Sequence, residues 1–277
     1  MMELPEAFAT AKQLRGVLQD RTVQTVHLPT SRHKFAFFNG DVAAYPALLE
    51  GQPVTDVCAM GGMVELRLGG GNLLFGDGVL LRWLAPEDEK PAKHQLMLTL
   101  DNGGTLYCQV QMYGGMWAFA NGAYDNTYYR AAAEKPSPLG DEFDEAYFAA
   151  LQKNEKPALG LKAFLATEQR IPGLGNGCLQ DILFLAGLHP KTRLSALDNS
   201  QRAALYHSVK DTLRDMADKN GRNTEKDLFG RPGGYTTILS SKTWKDPCPR
   251  CGGVIERQAY LGGNIYFCPA CQPQIGE

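Results

Sequence analysis

The C-terminal thirty residues carry two cysteine pairs at fixed spacing, and no other feature narrows the fold so much. The pairs read CPRC (Cys248, Cys251) and CPAC (Cys268, Cys271), a C-x2-C-x16-C-x2-C pattern. Two close pairs, each on a tight turn, present four thiolates tetrahedrally to one zinc ion. A module of about 32 residues buries too little surface to fold alone. Metal binding contributes on the order of 10–16 kcal/mol to such a module. We therefore expect a C-terminal β-hairpin stapled by one structural zinc ion. The other three cysteines, Cys58, Cys108 and Cys178, lie singly in apolar surroundings and read as inert buried thiols.

The 277 residues are enough for two domains or one large one. No apolar run approaches the length that spans a bilayer, and no charged-then-apolar leader precedes the first helix. The expectation is a soluble, cytoplasmic protein, nucleoid-associated if bacterial. The net charge of −2 hides an asymmetry. Residues 1–150 hold 11 Lys+Arg against 18 Asp+Glu, a balance of −7, whereas residues 151–277 hold 17 against 12, a balance of +5. A polyanion would be attracted mainly by the C-terminal half.

The chain opens MMELPEAF, and Pro5 suits a first helical turn, with good helix formers through Ala7–Leu18 and Gly16 loosening the end. From there to about residue 130 apolar residues alternate or cluster between Gly and Asp-Asn-Gly turns, the pattern of an antiparallel sandwich. EKPSPLGDE is proline-rich, polar and aperiodic, a linker. Beyond it the period becomes helical. Helices are expected over Ala146–Gln152 and Ala158–Thr167, after the glycine-rich turn PGLGNG (Pro172–Gly177), and after Asp198 and Ser200, where Leu205, Val209, Leu213 and Met216 repeat at core spacing. The glycines of PGLGNG let backbone amides at the following helix start approach a phosphate. The organisation expected is 1–133 helix and sandwich, 134–142 linker, 143–240 helical domain and 241–277 hairpin.

An N-terminal ELPE helix, a sandwich, the segment IPGLGNG…GLHP and a hairpin ending YFCPACQ, in that order, resemble the formamidopyrimidine-DNA glycosylase / endonuclease VIII family. The resemblance implies an α+β fold with a helix–two-turn–helix in its helical domain. It implies a monomer acting on double-stranded DNA that contains a damaged base or an abasic site. Such proteins excise oxidised bases and cut the strand through a Schiff base formed by an N-terminal proline amine, with the glutamates of ELPE moving protons. On this chain the catalytic positions are Met2, Glu3 and Glu6. The resemblance assigns DNA contacts to Asn176 in the glycine turn and to the zinc hairpin. Within Gln111–Trp117, where the family inserts side chains into the vacated base stack, it leaves Tyr113.

The sequence departs from the family at three places. Met2 stands where the proline amine is expected, and retention of Met1 before a large residue sets the amine one residue too far out. The phosphate-binding lysine of an early hairpin falls at Met63, and the arginine of the zinc hairpin falls at Gly263. Lys34, in SRHKFAFF, is an alternative amine, but nothing local guarantees the burial that would lower its pKa. Two readings follow. One is a DNA N-glycosylase in which Glu3 or Glu6 activates water, with weak or absent lyase activity at the abasic site. The other is a non-catalytic binder of damaged or structured nucleic acid on the same fold.

Overall fold

The computed structural model describes residues 2–276 and divides into two compact units. The first comprises Met1–Tyr129 and Ala217–Gly234, the second Arg130–Met216 and Tyr235–Glu277. The stretch Ala217–Gly234 falls within the 143–240 segment expected from sequence, yet it packs with the N-terminal unit. The reason is chemical as well as topological: its Leu228 joins the N-terminal core, and its Arg222 pairs with glutamates there.

In the first unit, α1 (Leu4–Leu18) begins at the Glu-Leu-Pro-Glu signal, with Pro5 in its first turn. It buries Leu4, Ala7, Ala11, Leu14 and Leu18, and it runs past Gly16, where an added Cβ would meet open space, so the glycine costs only backbone entropy. The strands are β1 (Val23–His27), β2 (Ala36–Phe38), β3 (Val54–Met60), β4 (Met63–Leu68), β5 (Gly71–Leu84), β6 (Leu96–Leu100) and β7 (Thr105–Ala120). They hydrogen-bond in the order β1-β6-β7-β5-β4-β3, and all these neighbours are antiparallel. The short β2 adds parallel to β7, with Ala36 opposite Gly114. The long strands β5 and β7 run through the middle, and their register shifts between Asp77 and Val79. Apolar residues of β1 and β6 and of β3 and β4 converge on one core with α1, which is the sandwich expected from the alternation.

A short helix, α2 (Tyr45–Leu49), was not legible in this β-rich stretch. Asp41 accepts a hydrogen bond from the Ala43 amide at 2.9 Å, Pro46 sits in the first turn, and the buried Tyr45 hydroxyl donates to the Met116 carbonyl at 2.8 Å. Among the three isolated thiols, Cys108 and Cys178 are buried, while Cys58 is only half-buried. Burial and the Asp56 carboxylate push the Cys58 thiol up to about 11, so it stays protonated.

Beyond α3 (Thr127–Glu134), the second unit contains α4 (Glu145–Lys153), α5 (Leu161–Ala166), α6 (Asn176–Ala186) and most of α7 (Asn199–Asp218), then the hairpin of β8 (Glu256–Tyr260) and β9 (Gly263–Phe267). Asp198 accepts from the Gln201 amide at 2.8 Å, the cap expected there, and Asp144 accepts from the Tyr147 amide at 2.7 Å at a second helix start. Leu205, Val209, Leu213 and Met216 of α7 have no exposed surface, as their spacing requires. Among the described residues no helix is long and apolar enough to cross a membrane.

Candidate functional site

Two clusters of functional side chains form, one in each unit. In the first unit, α1 places Glu3 at its N-cap and Glu6 one turn later. The Glu3 amide donates to Glu6 Oε2 at 3.1 Å, so the ELPE motif folds back on itself as a capping box. Both carboxylates are buried, and Arg222 lies between them, itself only 3 % exposed. Its Nε and Nη2 donate to the two Glu6 oxygens at 2.9 and 2.8 Å, its backbone amide adds a third bond at 3.0 Å, and Nη1 lies 3.4 Å from Glu3 Oε1. A planar guanidinium suits this forked contact, and an ammonium would not reproduce it.

Gly221 makes the backbone contact possible. Its φ is +93°, and a Cβ there would approach Glu6 Cγ and Oε1 to 3.2 Å, so a larger residue would crowd the carboxylate it brings Arg222 to meet. Met2 is partly buried and packs its side chain on the sandwich core. Beside Met2 and Glu6 lies a cavity of about 30 Å³ walled by Thr10, Val79, Leu81 and Arg82, with Glu225 and Lys226 closing it. That is room for roughly one water molecule. Met1 lies outside the described residues, and with it the expected displacement of the amine.

In the second unit, Gly175 caps α6 and Asn176 opens it. The Asn176 side-chain amide donates to the Asn264 carbonyl of β9 at 3.0 Å, while its Oδ1 is buried with no partner among the described residues. Gln180, one turn on, bridges the same elements: its Nε2 donates to the carbonyls of Asn176 and Asn264, and its Oε1 accepts from the Tyr266 amide. The glycine turn and the hairpin are therefore one hydrogen-bonded block.

At the position of Gly263, a Cβ would lie 3.6 Å from both Asn176 Nδ2 and Lys162 Nζ. Lys162 is 3 % exposed and donates to the Tyr260 carbonyl at 2.5 Å, and burial lowers its pKa. A cation therefore reaches the hairpin turn from α5 although the strand position itself has none.

The four expected cysteines converge. Their Sγ atoms all lie within 4.8 Å of one another, with Cys248 and Cys271 3.8 Å apart and Cys251 and Cys268 3.5 Å apart. Tetrahedral zinc at about 2.3 Å from each sulfur sets sulfurs about 3.8 Å apart, so the donor set fits that ion. Burial raises the Cys248 thiol, but the amides of Arg250 and Cys251 outweigh it and bring it to about 7.

Known proteins resemble this chain over most of its length. The model of the formamidopyrimidine-DNA glycosylase H2TH domain matches residues 135–226. A formamidopyrimidine-DNA glycosylase of Haemophilus influenzae is 28% identical over 98% of this chain and 99% of its own length. One from Histophilus somni is 31% identical across 68% of this chain and 70% of its own. The chain belongs to the formamidopyrimidine-DNA glycosylase / endonuclease VIII family. The Thermus thermophilus MutM (Fpg) crystal structure superposes with a TM-score of 0.81 at 26% identity over 98% of this chain and 99% of that one. The Lactococcus lactis Fpg, solved in complex with abasic-site DNA, shares the fold with a TM-score of 0.83 at 20% identity, covering 98% of this chain and all of its own.

Against the pattern implied for a formamidopyrimidine-DNA glycosylase, Glu3 and Glu6 stand together at the helix start, and Tyr113 lies on β7, 37% exposed. Met63 begins β4 and puts a thioether where a lysine was expected. Sequence reading missed Arg222, Lys162 and Gln180. The only local signal for Arg222 was its place in the turn-rich run KNGRNTE, which marks a turn but not its partner. Lys162 and Gln180 sit in helices among apolar neighbours, where a buried polar side chain is noticed only once its partner strand is known.

Proposed function

We propose that this protein is a DNA N-glycosylase that removes a damaged base by hydrolysis, with Glu3 as the base that activates water and with little lyase activity at the abasic site. The observation that carries the proposal is the buried pair Glu3 and Glu6 at the start of α1, gripped by Arg222. Carboxylates held in one orientation suit general-base work, and Glu6, one turn from Glu3, borders a water-sized cavity. Removal of the base transfers the glycosidic bond to a water oxygen, whose proton passes to Glu3, while the departing base takes up a proton from solvent. Membership of a family of DNA glycosylases supports the substrate class, DNA carrying an oxidised base. Met2 in place of a proline supports the hydrolytic route over amine attack.

In this proposal Asn176 and the amides of the glycine turn grip the DNA backbone, Tyr113 occupies the vacated stack, and one zinc ion on Cys248, Cys251, Cys268 and Cys271 supplies only structural rigidity to the hairpin. The protein acts as a monomer. The division into residues 1–133, 134–142, 143–240 and 241–277 remains our functional reading of the chain.

A second reading has its own support. Arg222 occupies oxygens of both carboxylates, and Met63 and Gly263 lack the cations implied by the family, which suits a binder without chemistry. Turnover of a panel of oxidised-base duplexes separates the two. We expect strand-specific base release by the parent and none by Glu3→Gln. Binding of every duplex with no base released from any would reject the enzyme and leave the binder.

A further inference from the structure

The strap between β1 and β2 was not absorbed by the site above. It reads SRHKFAFF from Ser31 to Phe38, three basic or titratable side chains in a row followed by alternating aromatics. Alternation along β2 turns Phe37 away from Ala36 and Phe38, and Phe35 stands in the turn just before the strand. Phe38 packs on the core, while Phe35 and Phe37 stand 47% and 46% exposed. Phe35 is tied to β7 through its carbonyl, which accepts from the Gly114 amide at 2.9 Å. That bond holds the strap's backbone to the strand position that follows the exposed Tyr113. Two large aromatic side chains therefore stand exposed within three residues of one strap. Exposed aromatics beside one another in a short strap suit a binding surface.

The cations tell which partner it fits. Arg32 and Lys34 are exposed, and Lys34 Nζ lies 5.3 Å from the Phe35 ring centroid. Arg32, His33 and Lys34, with Ser31 and the buried Gln95, line a cavity of about 330 Å³ floored by Pro29, Ala36 and Phe38. Gln95 donates to Ser31 Oγ at 3.0 Å and accepts from the Val110 amide at 2.8 Å, so the wall is held in place. This basic mouth sits on the half of the chain whose balance is −7, so general charge does not explain it. Lys34 beside the Phe35 ring joins a cation to an aromatic face, the combination that holds unpaired bases on a phosphate backbone. An acidic protein surface would use the cations but not two rings standing out from the sheet.

We propose that the Arg32–Phe37 strap is a binding site for unpaired DNA, in which Phe35 and Phe37 stack on bases and Arg32 and Lys34 hold the adjoining phosphates. The site deepens the proposed function, since excision leaves or requires bases out of the stack. It rests on the DNA reading but not on catalysis.

The test is fluorescence anisotropy with a fluorescein-labelled dT15 strand and with a fully paired 15-mer duplex. Phe35 and Phe37 are exposed, so the Phe35→Ala/Phe37→Ala variant keeps its fold, checked by unchanged thermal unfolding. We expect that variant to weaken dT15 binding by about tenfold or more, and duplex binding by less than about twofold. Arg32→Ala/Lys34→Ala should flatten the dependence of log K on log salt for dT15 by about 1.4, two contacts at roughly 0.7 each. No dT15 binding by the parent, unchanged dT15 affinity in the phenylalanine variant, or equal losses on both probes would overturn the site. Base release from a lesion duplex, measured alongside, reports on the catalytic proposal separately: its absence with the dT15 pattern intact defeats the glycosylase and leaves the strap standing.

Discussion

The glutamate cluster of the first unit and the hairpin block of the second solve the same problem, a buried polar site, with opposite materials. At the start of α1 the currency is full charge: two carboxylates and one guanidinium, all less than a tenth exposed. In the second unit, neutral amides do the work. Asn176 and Gln180 tie α6 to β9, and Gln272, with no exposed surface, bridges the Cys268 amide and the Leu188 carbonyl. Neutral amides cost less to bury than ions, and each can satisfy several backbone groups at once. The ionic cluster is the more expensive arrangement, since a buried pair seldom gains over an apolar replacement. Its retention argues for a role beyond stability.

The largest effect expected from disturbing this comparison is in the second unit. Metal analysis after dialysis should return about one zinc per chain, and Cys268→Ser, or chelation, should release the hairpin. Zinc-finger modules lose on the order of 10 kcal/mol in this way. Hydrogen exchange in β8 and β9 should rise sharply while the amides of β5 and β7 keep their protection. A hairpin that stays protected without metal would defeat the staple.

Next is the ionic cluster. Arg222→Met removes the partner of two buried carboxylates and should destabilise by about 3–5 kcal/mol, measured by denaturant unfolding. Glu6→Gln in the same background should recover part of that loss, because it removes one of the stranded charges. If Arg222→Met unfolds like the parent, the clamp carries no energy and the contrast between the units fails.

Smaller again is the amide block. Gln180→Ala strands the Tyr266 amide and two carbonyl contacts, and should cost about 1–3 kcal/mol. Asn176→Ala should be milder in stability but should weaken binding of an abasic duplex. Equal affinity in that variant would remove Asn176 from the DNA contact.

The smallest signal expected is a near absence. Borohydride trapping on abasic duplex should give little covalent complex, far less than a proline-bearing relative under matched conditions, because reaction needs a free amine within about 3–3.5 Å of the sugar carbon. Intact-mass determination should accompany it, and strong trapping by a chain beginning at Met1 would refute the expectation.

Legibility followed sequence distance. The cysteine pairs, the helix start at ELPE, the acidic cap at Asp198 and the period of α7 are all set within about twenty residues, where backbone geometry dictates which side chains meet. Arg222 meets Glu6 across 216 residues, and no local pattern encodes such a partner. The exposure of Phe35 and Phe37 was hidden for a related reason. An aromatic run reads as core, and only the pairing of β2 with β7 decides which alternate residues face outward. The return of Ala217–Gly234 to the first unit likewise depends on Leu228 and Arg222, two residues in a stretch otherwise polar and rich in turns.

The span between Glu6 and Arg222 also fixes when the site comes into being. Everything from Arg130 to Met216 must be synthesised before the chain returns with its arginine. Contacts so distant in sequence form slowly, because the loop they close must be ordered before they repay it. A ribosome-bound chain ending short of residue 222 therefore carries both glutamates with no guanidinium to meet them. The two carboxylates are among the first residues made, and their guanidinium partner waits for residue 222 of 277.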